Sequence, residues 1–257
     1  MDISKCLQQQ ALLKGREFLE PVPLNMSSGG MVGCQGTSGS NSETAARKLF
    51  PENEISFYSE FEDVFRAVEK GEIEYGIIPI HNSTAGSVTQ NYDLIRKYKK
   101  NGVKVTCETC PHYFMLTDEL LRTMDADYRM NPPLREESDR LAIINGICDG
   151  TIDCIVTDHA PHSEEDKSDF LKAPNGVVGL ETSLAAVLTG LYHTGMISLK
   201  RISGLMSENP RRVLGLSELN IREGMQAELT LVDTEKKWIV DPCSFKSKSS
   251  NSAFKNM

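Results

Sequence analysis

The sequence predicts an α/β protein laid out in two stretches, a small open parallel sheet followed by a run of longer elements around a buried strand. Three observations carry that expectation. From Met31 to Lys100, strand-like and helix-like patterns alternate, the order that parallel crossovers produce. From Asn101 onward the elements lengthen, and a polar loop of over twenty residues follows the apolar run "TIDCIVT". The first 30 residues fit neither pattern and read as an N-terminal tail or linker. The expected divisions are therefore 1–30, 31–100 and 101–257.

"MVGC" is a short apolar strand that leads into the small-residue loop "QGTSGSNS". Ser42 can cap a helix running to Leu49, and Pro51 stops it. "ISFY" is the next strand. Phe61, Val64, Phe65 and Val68 then share one helical face, and Gly71 closes that helix. "YGIIPI" is a third strand, followed by "HNSTAGSV" and a helix carrying Tyr92, Leu94 and Ile95. In the second stretch "GVKVTCE" is a strand and "RMNPPLR" a Pro-stiffened loop. "EESDRLAIINGICDG" is a helix with Leu141, Ile144 and Ile147 inward and Gly150 at its end. "TIDCIVT" is a buried strand, "GLETSLAAVLTGLYHTG" an apolar-faced helix, and "SLKRISGLMS" and "NPRRVLGL" two short helices, the last with Pro210 in its first turn. "AELTLVD" is a late strand, and the last dozen residues read as a tail.

The net charge of -8, without a basic stripe, excludes a phosphate-backbone partner, so no nucleic acid is expected. No apolar stretch reaches the length of a membrane span and no signal-peptide core opens the chain, so neither a membrane nor export is expected, and the expected location is cytoplasmic. Seven scattered cysteines do not suggest a disulfide framework. Cys107 and Cys110 form a single CxxC with Pro111 directly after it, which reads as a pair of buried, inert thiols.

Two loops carry candidate chemistry. "NSTAGSV" offers the amide of Asn82, the hydroxyls of Ser83, Thr84 and Ser87, and backbone N–H groups freed by Gly86, all where a helix begins. That set suits a small anionic substrate, a carboxylate or a phosphate, and it equally suits a Ser/Thr-rich capping turn. In "IVTDHAPHSEEDK" an acid, Asp158, ends a buried strand, with His159 beside it and His162 four residues on. An acid placed there can bind a divalent metal and take a proton from metal-bound water. It can also simply cap the following segment, with two surface histidines nearby.

Longer motifs bring two families into view. "VGCQGTSGSNSETAARKLFP", "FEDVFRAVEKGEIEYGIIPI" and "HNSTAGSVTQNYDLI" resemble the first lobe of prephenate dehydratase, particularly the bacterial form fused to chorismate mutase, over residues 31–98. This resemblance implies a periplasmic-binding-protein-like lobe, a lyase of phenylalanine biosynthesis, and a prephenate site lined by Asn82, Ser83 and Thr84. The family's Thr-Arg-Phe motif is absent from the chain, and His81 stands where an acid is usual. "VTCETCPHYFMLTDE", "MNPPLREESDR", "DGTIDCIVTDHAPHSEEDK" and "APNGVVGLETSL" resemble dihydroorotase of the amidohydrolase superfamily, from 101 to the C-terminus. This second resemblance implies an incomplete TIM-barrel fragment, its last two strands and following helices. It also implies a hydrolase of pyrimidine biosynthesis that interconverts dihydroorotate and N-carbamoyl-aspartate on zinc. Asp158 is then the metal-associated general base and acid, Asn131 and His162 contact the substrate ring and its carboxylate, and Pro174 and Gly176 line the loop beside the ring. His112 has a family counterpart that is not a metal ligand and is expected to pack behind its strand.

The family's other metal ligands include a His-x-His pair, a bridging Lys or Asp and further histidines. The five histidines of this chain form no His-x-His pair, and the Arg that clamps the substrate is missing. Asp158 is the surviving candidate ligand, and one carboxylate does not hold zinc against water. The expectation is a hybrid joined near 98–102, with neither active site complete, no stable zinc and no turnover by this chain. Two strands of eight do not close a barrel, so apolar faces and strand edges stay open. That predicts weak folding of the second stretch or its docking onto the first sheet, and oligomerisation or aggregation through open edges.

Overall fold

The computed structural model describes residues 29–257 apart from 80, 83–85, 88, 218–220 and 226–228. It is mixed α/β with small parallel sheets. β1 (Met31–Gln35), β2 (Glu54–Tyr58) and β3 (Tyr75–Ile77) form one parallel sheet in the order β2-β1-β3, with Val32 opposite Ile55 on one side and Tyr75 on the other. α1 (Asn41–Leu49) and α2 (Phe61–Glu69) are the two crossovers. Ser40, rather than Ser42, caps α1, its Oγ accepting from Glu43 N at 3.2 Å. The cap lies two residues early because the Glu43 side chain also reaches back to Gly39 N at 2.6 Å, which fixes the preceding turn. Gly33 of β1 packs so closely that an added Cβ would sit 2.4 Å from Ile73 Cδ1. No larger residue fits there without displacing its neighbours.

β4 (His81–Asn82) and β5 (Gly86–Ser87) are a two-residue antiparallel pair, and α3 (Thr89–Lys100) follows. Leu94 and Tyr98 of α3 pack on Phe65, with Ile95 and Val103 at the margin of the same cluster. The side chain of Tyr92 lies outside the described residues.

Beyond this point the expected strand "GVKVTCE" does not form over 102–107, and β6 (Glu108–Thr109) begins only at its last residue; "TIDCIVT" contracts to β7 (Cys154–Ile155), paired with β6 in parallel. Between them lie α4 (Pro111–Met115) and α5 (Glu137–Asp149). Gly150 ends α5 in the left-handed conformation, with φ 87, as its sequence position predicts. Ile144 and Ile147 point inward, but Leu141 is exposed. Each three-residue step falls about 60° short of a full turn, so 141, 144 and 147 drift around the helix rather than share a stripe. α6 (Ser183–Val187), continued through Leu188–Tyr192, α7 (Leu199–Ser203), continued through Gly204–Glu208, and α8 (Asn209–Val213) complete the α-helices described.

Two apolar clusters hold this stretch. One joins Phe114, Ile144, Ile147, Ile155, Val187, Leu191, Ile202 and Leu205. The other joins Leu116, Met130, Leu134, Val177, Ala186, Val240, Ala253 and Phe254. The last dozen residues are therefore no tail. Ser249, Asn251, Ser252, Ala253 and Phe254 are buried, because Asn251 satisfies the backbone of Val178 and Phe254 fills the second cluster. The late strand is also corrected. Residues 227 and 228 of it lie outside the described residues, 229–232 pairs with no described strand and Leu231 is fully exposed, since an extended segment forms a ladder only beside a partner. Nor do β6 and β7 dock on the first sheet, whose three members are β1, β2 and β3. The link between the two stretches is apolar at Val103 and polar at Lys99. Lys99 of α3 pairs with Asp153, whose carboxylate also accepts from Cys107 N at 2.7 Å.

Candidate metal and substrate site

The parallel register of β6 and β7 delivers the residues after both strands to the same edge, Thr109 lying opposite Ile155. Ligands gather at such carboxyl ends in parallel α/β architecture. On one side, Cys110 is the cap residue before α4, and Pro111 presets the first helical turn. That turn swings His112 back beside Cys110. On the other side, Asp158 adopts φ 47, a left-handed conformation that Asp tolerates better than most residues. The outcome is that one ligand atom each from Cys110, His112 and Asp158 lies within 4.8 Å of the others.

The first two are buried and Asp158 is exposed. His112 is 3 % exposed, and its Nε2 has no hydrogen-bond partner among the described residues. Burial pulls its imidazole down to about 4, so the ring is neutral and one nitrogen offers a lone pair. Burial first, then the Asp158 and Glu108 charges, push the Cys110 thiol up to about 12. Among the cysteines, 34, 110 and 154 are buried, and the Cys107 thiol, also pushed up mainly by burial, is only half-buried.

The loop after Asp158 is pinned at many points. Ala160 N donates to Val177 O at 2.9 Å, and Gly176 N donates to Arg129 O at 2.9 Å. Lys167 Nζ donates to Pro174 O at 3.1 Å and Gly176 O at 2.9 Å. Gly176 has φ 109, and a Cβ there would meet Ala160 Cβ at 2.5 Å, so the close approach requires glycine. His162 receives a contact at each end. Its N donates to Asn251 Oδ1 at 3.1 Å, its carbonyl accepts from Ser249 Oγ at 2.6 Å, and its Nε2 faces Asn175 O at 2.9 Å. Facing a carbonyl, that Nε2 carries the proton. His159 differs, because its Nδ1 accepts from Gly179 N at 3.1 Å and it lines a cavity of about 310 Å³ with Leu180, Glu181, Lys246 and Ser247. Burial lowers its affinity for a proton, against the raising effect of Glu181.

His162, Pro174 and Gly176 are thus brought together in one pinned loop, as the sequence grouped them. Asn131 is exposed and lies two residues beyond Arg129, which donates to Asn175 Oδ1 at 3.1 Å. Asn82 has a described backbone in β4, but its side chain lies outside the described residues, as do Ser83 and Thr84 entirely. Sequence reasoning passed over Cys110 and His112, taking one for an inert thiol and the other for packing. The usable signal was their position at the end of a strand that pairs with the strand leading to Asp158. Beside Asp158, the candidate ligand of the sequence, the structure therefore sets two further side chains with ligand atoms. His193 is exposed near a helix end, its Nε2 2.9 Å from Thr234 O.

Comparison with known proteins divides along the chain. Residues 32–121 match the family "Prephenate dehydratase". The dihydroorotase of Acetivibrio thermocellus is 45% identical over 182 residues, which is 70% of this chain and 42% of that relative. The dihydroorotase of Desulforapulum autotrophicum is 48% identical over 169 residues, 65% of this chain and 39% of that relative. The D-hydantoinase (dihydropyrimidinase) from Thermus sp. aligns with a TM-score of 0.62 at 19% identity, over 76% of this chain and 43% of that structure, a likeness of fold. The chain spans less than half the length of these relatives. It is a hybrid in its resemblances, prephenate dehydratase-like in front and cyclic amidohydrolase-like behind. The Acetivibrio match leaves about 77 of 257 residues uncovered, fewer than the 90 from 32 to 121, so the two matches share at least about 13 residues.

Proposed function

We propose that this chain is a dihydroorotase-like cyclic amidohydrolase unit whose own residues do not turn substrate over. The observation that carries the reading is 45% identity to a dihydroorotase across 70% of the chain, with Asp158 set at the mouth of a parallel strand pair. In this reading residues 101–257 are the last strands and helices of a TIM barrel, residues 31–100 are a periplasmic-binding-protein-like lobe, and 1–30 is a linker. The ligand is a small anionic ring compound rather than a nucleic acid or a membrane, and the location is cytoplasmic. Among the described residues no helix is long and apolar enough to cross a membrane.

The donor set at the strand ends fits a divalent metal, since a buried imidazole nitrogen there lacks a partner. Zinc, when bound, supplies an acidified water. Asp158, exposed at the mouth, would help hold that metal and would be the group placed to accept a proton from its water. Asn131, Pro174 and Gly176 face the ring, and His162 must release Asn175 O before its Nε2–H can meet the ring's carboxylate. What limits the chain is what it lacks: no His-x-His pair and no Arg to clamp the substrate, while the Nε2–H of His162 is already held by Asn175 O. The test is direct. Purified full-length chain with zinc is assayed for interconversion of dihydroorotate and N-carbamoyl-aspartate, beside Asp158→Asn. Equal and background rates are expected; enzyme-like turnover lost in the variant would sink the claim of inactivity and keep the family.

The match over 32–121 favours a second reading, prephenate binding by the front lobe through Asn82, Ser83 and Thr84. Phenylpyruvate release from prephenate would establish dehydration, and background release is expected. Both outer strands of the three-stranded sheet offer edges for self-association. Light scattering across a concentration series should show larger species, and a strict monomer would refute this.

A further inference from the structure

The strand-end group has features that the turnover reading does not use. Two of its three members, Cys110 and His112, fall outside the ligand set that the dihydroorotase resemblance implies. Their chemistry is also softer than an all-oxygen or all-histidine site, with one sulfur, one imidazole nitrogen and one carboxylate oxygen. His112 is the second observation. A ring buried to 3 % exposure with an orphaned Nε2 leaves a lone pair or a proton without company, which is unfavourable unless something outside the protein meets it.

We propose that Cys110, His112 and Asp158 form a three-ligand site for one thiophilic divalent cation of the zinc class, with the fourth position open to water. Zinc sites of this composition hold ligands at about 2.0–2.3 Å, so tetrahedral partners stand roughly 3.6 Å apart. Atoms already within 4.8 Å need to close by about 1.2 Å at most, which lies within the reach of side-chain rotation. Charge balances as well. Coordination exchanges the thiol proton, released to solvent, for a sulfur–metal bond, and the thiolate and carboxylate then neutralise the dication. The buried wall made by Cys110 and His112 shields one side, and the exposure of Asp158 keeps the other accessible. Thiolate and imidazole together favour zinc or cobalt over magnesium or calcium. The site binds metal without needing the missing substrate clamp, so metal binding and turnover are separate properties of the chain.

The test uses full-length protein stripped with a chelator and titrated with cobalt(II), then zinc. One equivalent of cobalt is expected, with a near-ultraviolet thiolate-to-cobalt charge-transfer band that zinc displaces. Cys110→Ser should abolish the band, and His112→Gln should weaken zinc binding by at least the ~10-fold that even an outer-shell change costs. Cys243→Ser, at an exposed thiol remote in sequence, should leave band and stoichiometry unchanged. The unmodified chain alone can overturn the proposal, because a protein that takes up no cobalt, or takes it up without the sulfur band, lacks this site. A band that survives Cys110→Ser in a folded variant overturns it equally. Absence of dihydroorotate turnover leaves these readings untouched, and their failure leaves the family resemblance untouched.

Discussion

The front and back of this molecule are held together by different means. Residues 31–77 form a sheet in which β1 is paired along both edges, and each crossover helix lies against it. The back has a ladder of only two residues per strand, β6 with β7, and relies on helices packed around two apolar clusters. A net backbone hydrogen bond contributes about 1 kcal/mol, and a fully buried aliphatic side chain about 1.5–3 kcal/mol. In the back, the eight side chains named in the first cluster therefore outweigh the short ladder several-fold. The front can be read from strand alternation, whereas the back depends on which side chains meet. The contrast also locates the chemistry. A two-residue ladder suffices to align Cys110 with the segment leading to Asp158, while packing buries the His112 wall of the site.

The sharpest way to break this comparison is to empty the back core. Leu205→Ala, at a fully buried position, should cost about 2–5 kcal/mol. Hydrogen exchange should then accelerate in α5–α7 while the amides of β1 keep their protection. Equal acceleration in β1 would show that the two regions unfold as one. Next comes the polar link. Asp153→Ala removes the partner of both Lys99 and Cys107 N and should cost about 1.5–3 kcal/mol by denaturant unfolding, with loss of protection at Cys107.

A pH effect confined to the back follows in size. Burial first, then Asp125, pushes the Asp127 carboxyl up to about 6, against the lowering charges of Lys167 and Lys255. Its native state therefore binds more protons than the unfolded chain between about pH 3.8 and 6. This group's contribution makes stability fall as pH rises through that window, by on the order of 1–2 kcal/mol after allowance for partial solvent screening. Asp127→Asn should flatten that part of the profile and stabilise the protein at pH 7. An unchanged profile would place the cause elsewhere. The smallest effect belongs to the front. Ser40→Ala should cost about 1 kcal/mol, seen as faster exchange at Glu43 N, and should leave metal uptake by the back unaltered.

Several parts of the molecule were legible beforehand. The β1–α1–β2–α2–β3 order, the Gly150 helix end and the inward Ile144 and Ile147 all follow from local rules, because period, capping and left-handed glycine act within a few residues. His162, Pro174 and Gly176, which the dihydroorotase resemblance sets about a substrate ring, lie in one loop. Other features were not. Ser40 displaced Ser42 as a cap through the reach of the Glu43 side chain. Leu141 turned outward through helical drift. The C-terminal segment was drawn inside by Asn251 and Phe254, whose partners lie far away in the chain.

By itself, the sequence determined the alternation of the front elements, the two resemblances and the candidate acid at Asp158, since each is written in contiguous residues. Only the tertiary structure decided that Cys110 and His112 stand beside that acid, and that the loop donors are already engaged with Asn175, Pro174 and Gly176. The physical reason is range. A ligand group is a distance between residues over forty positions apart, fixed by the register of β6 on β7, and no local pattern encodes a register between strands that distant.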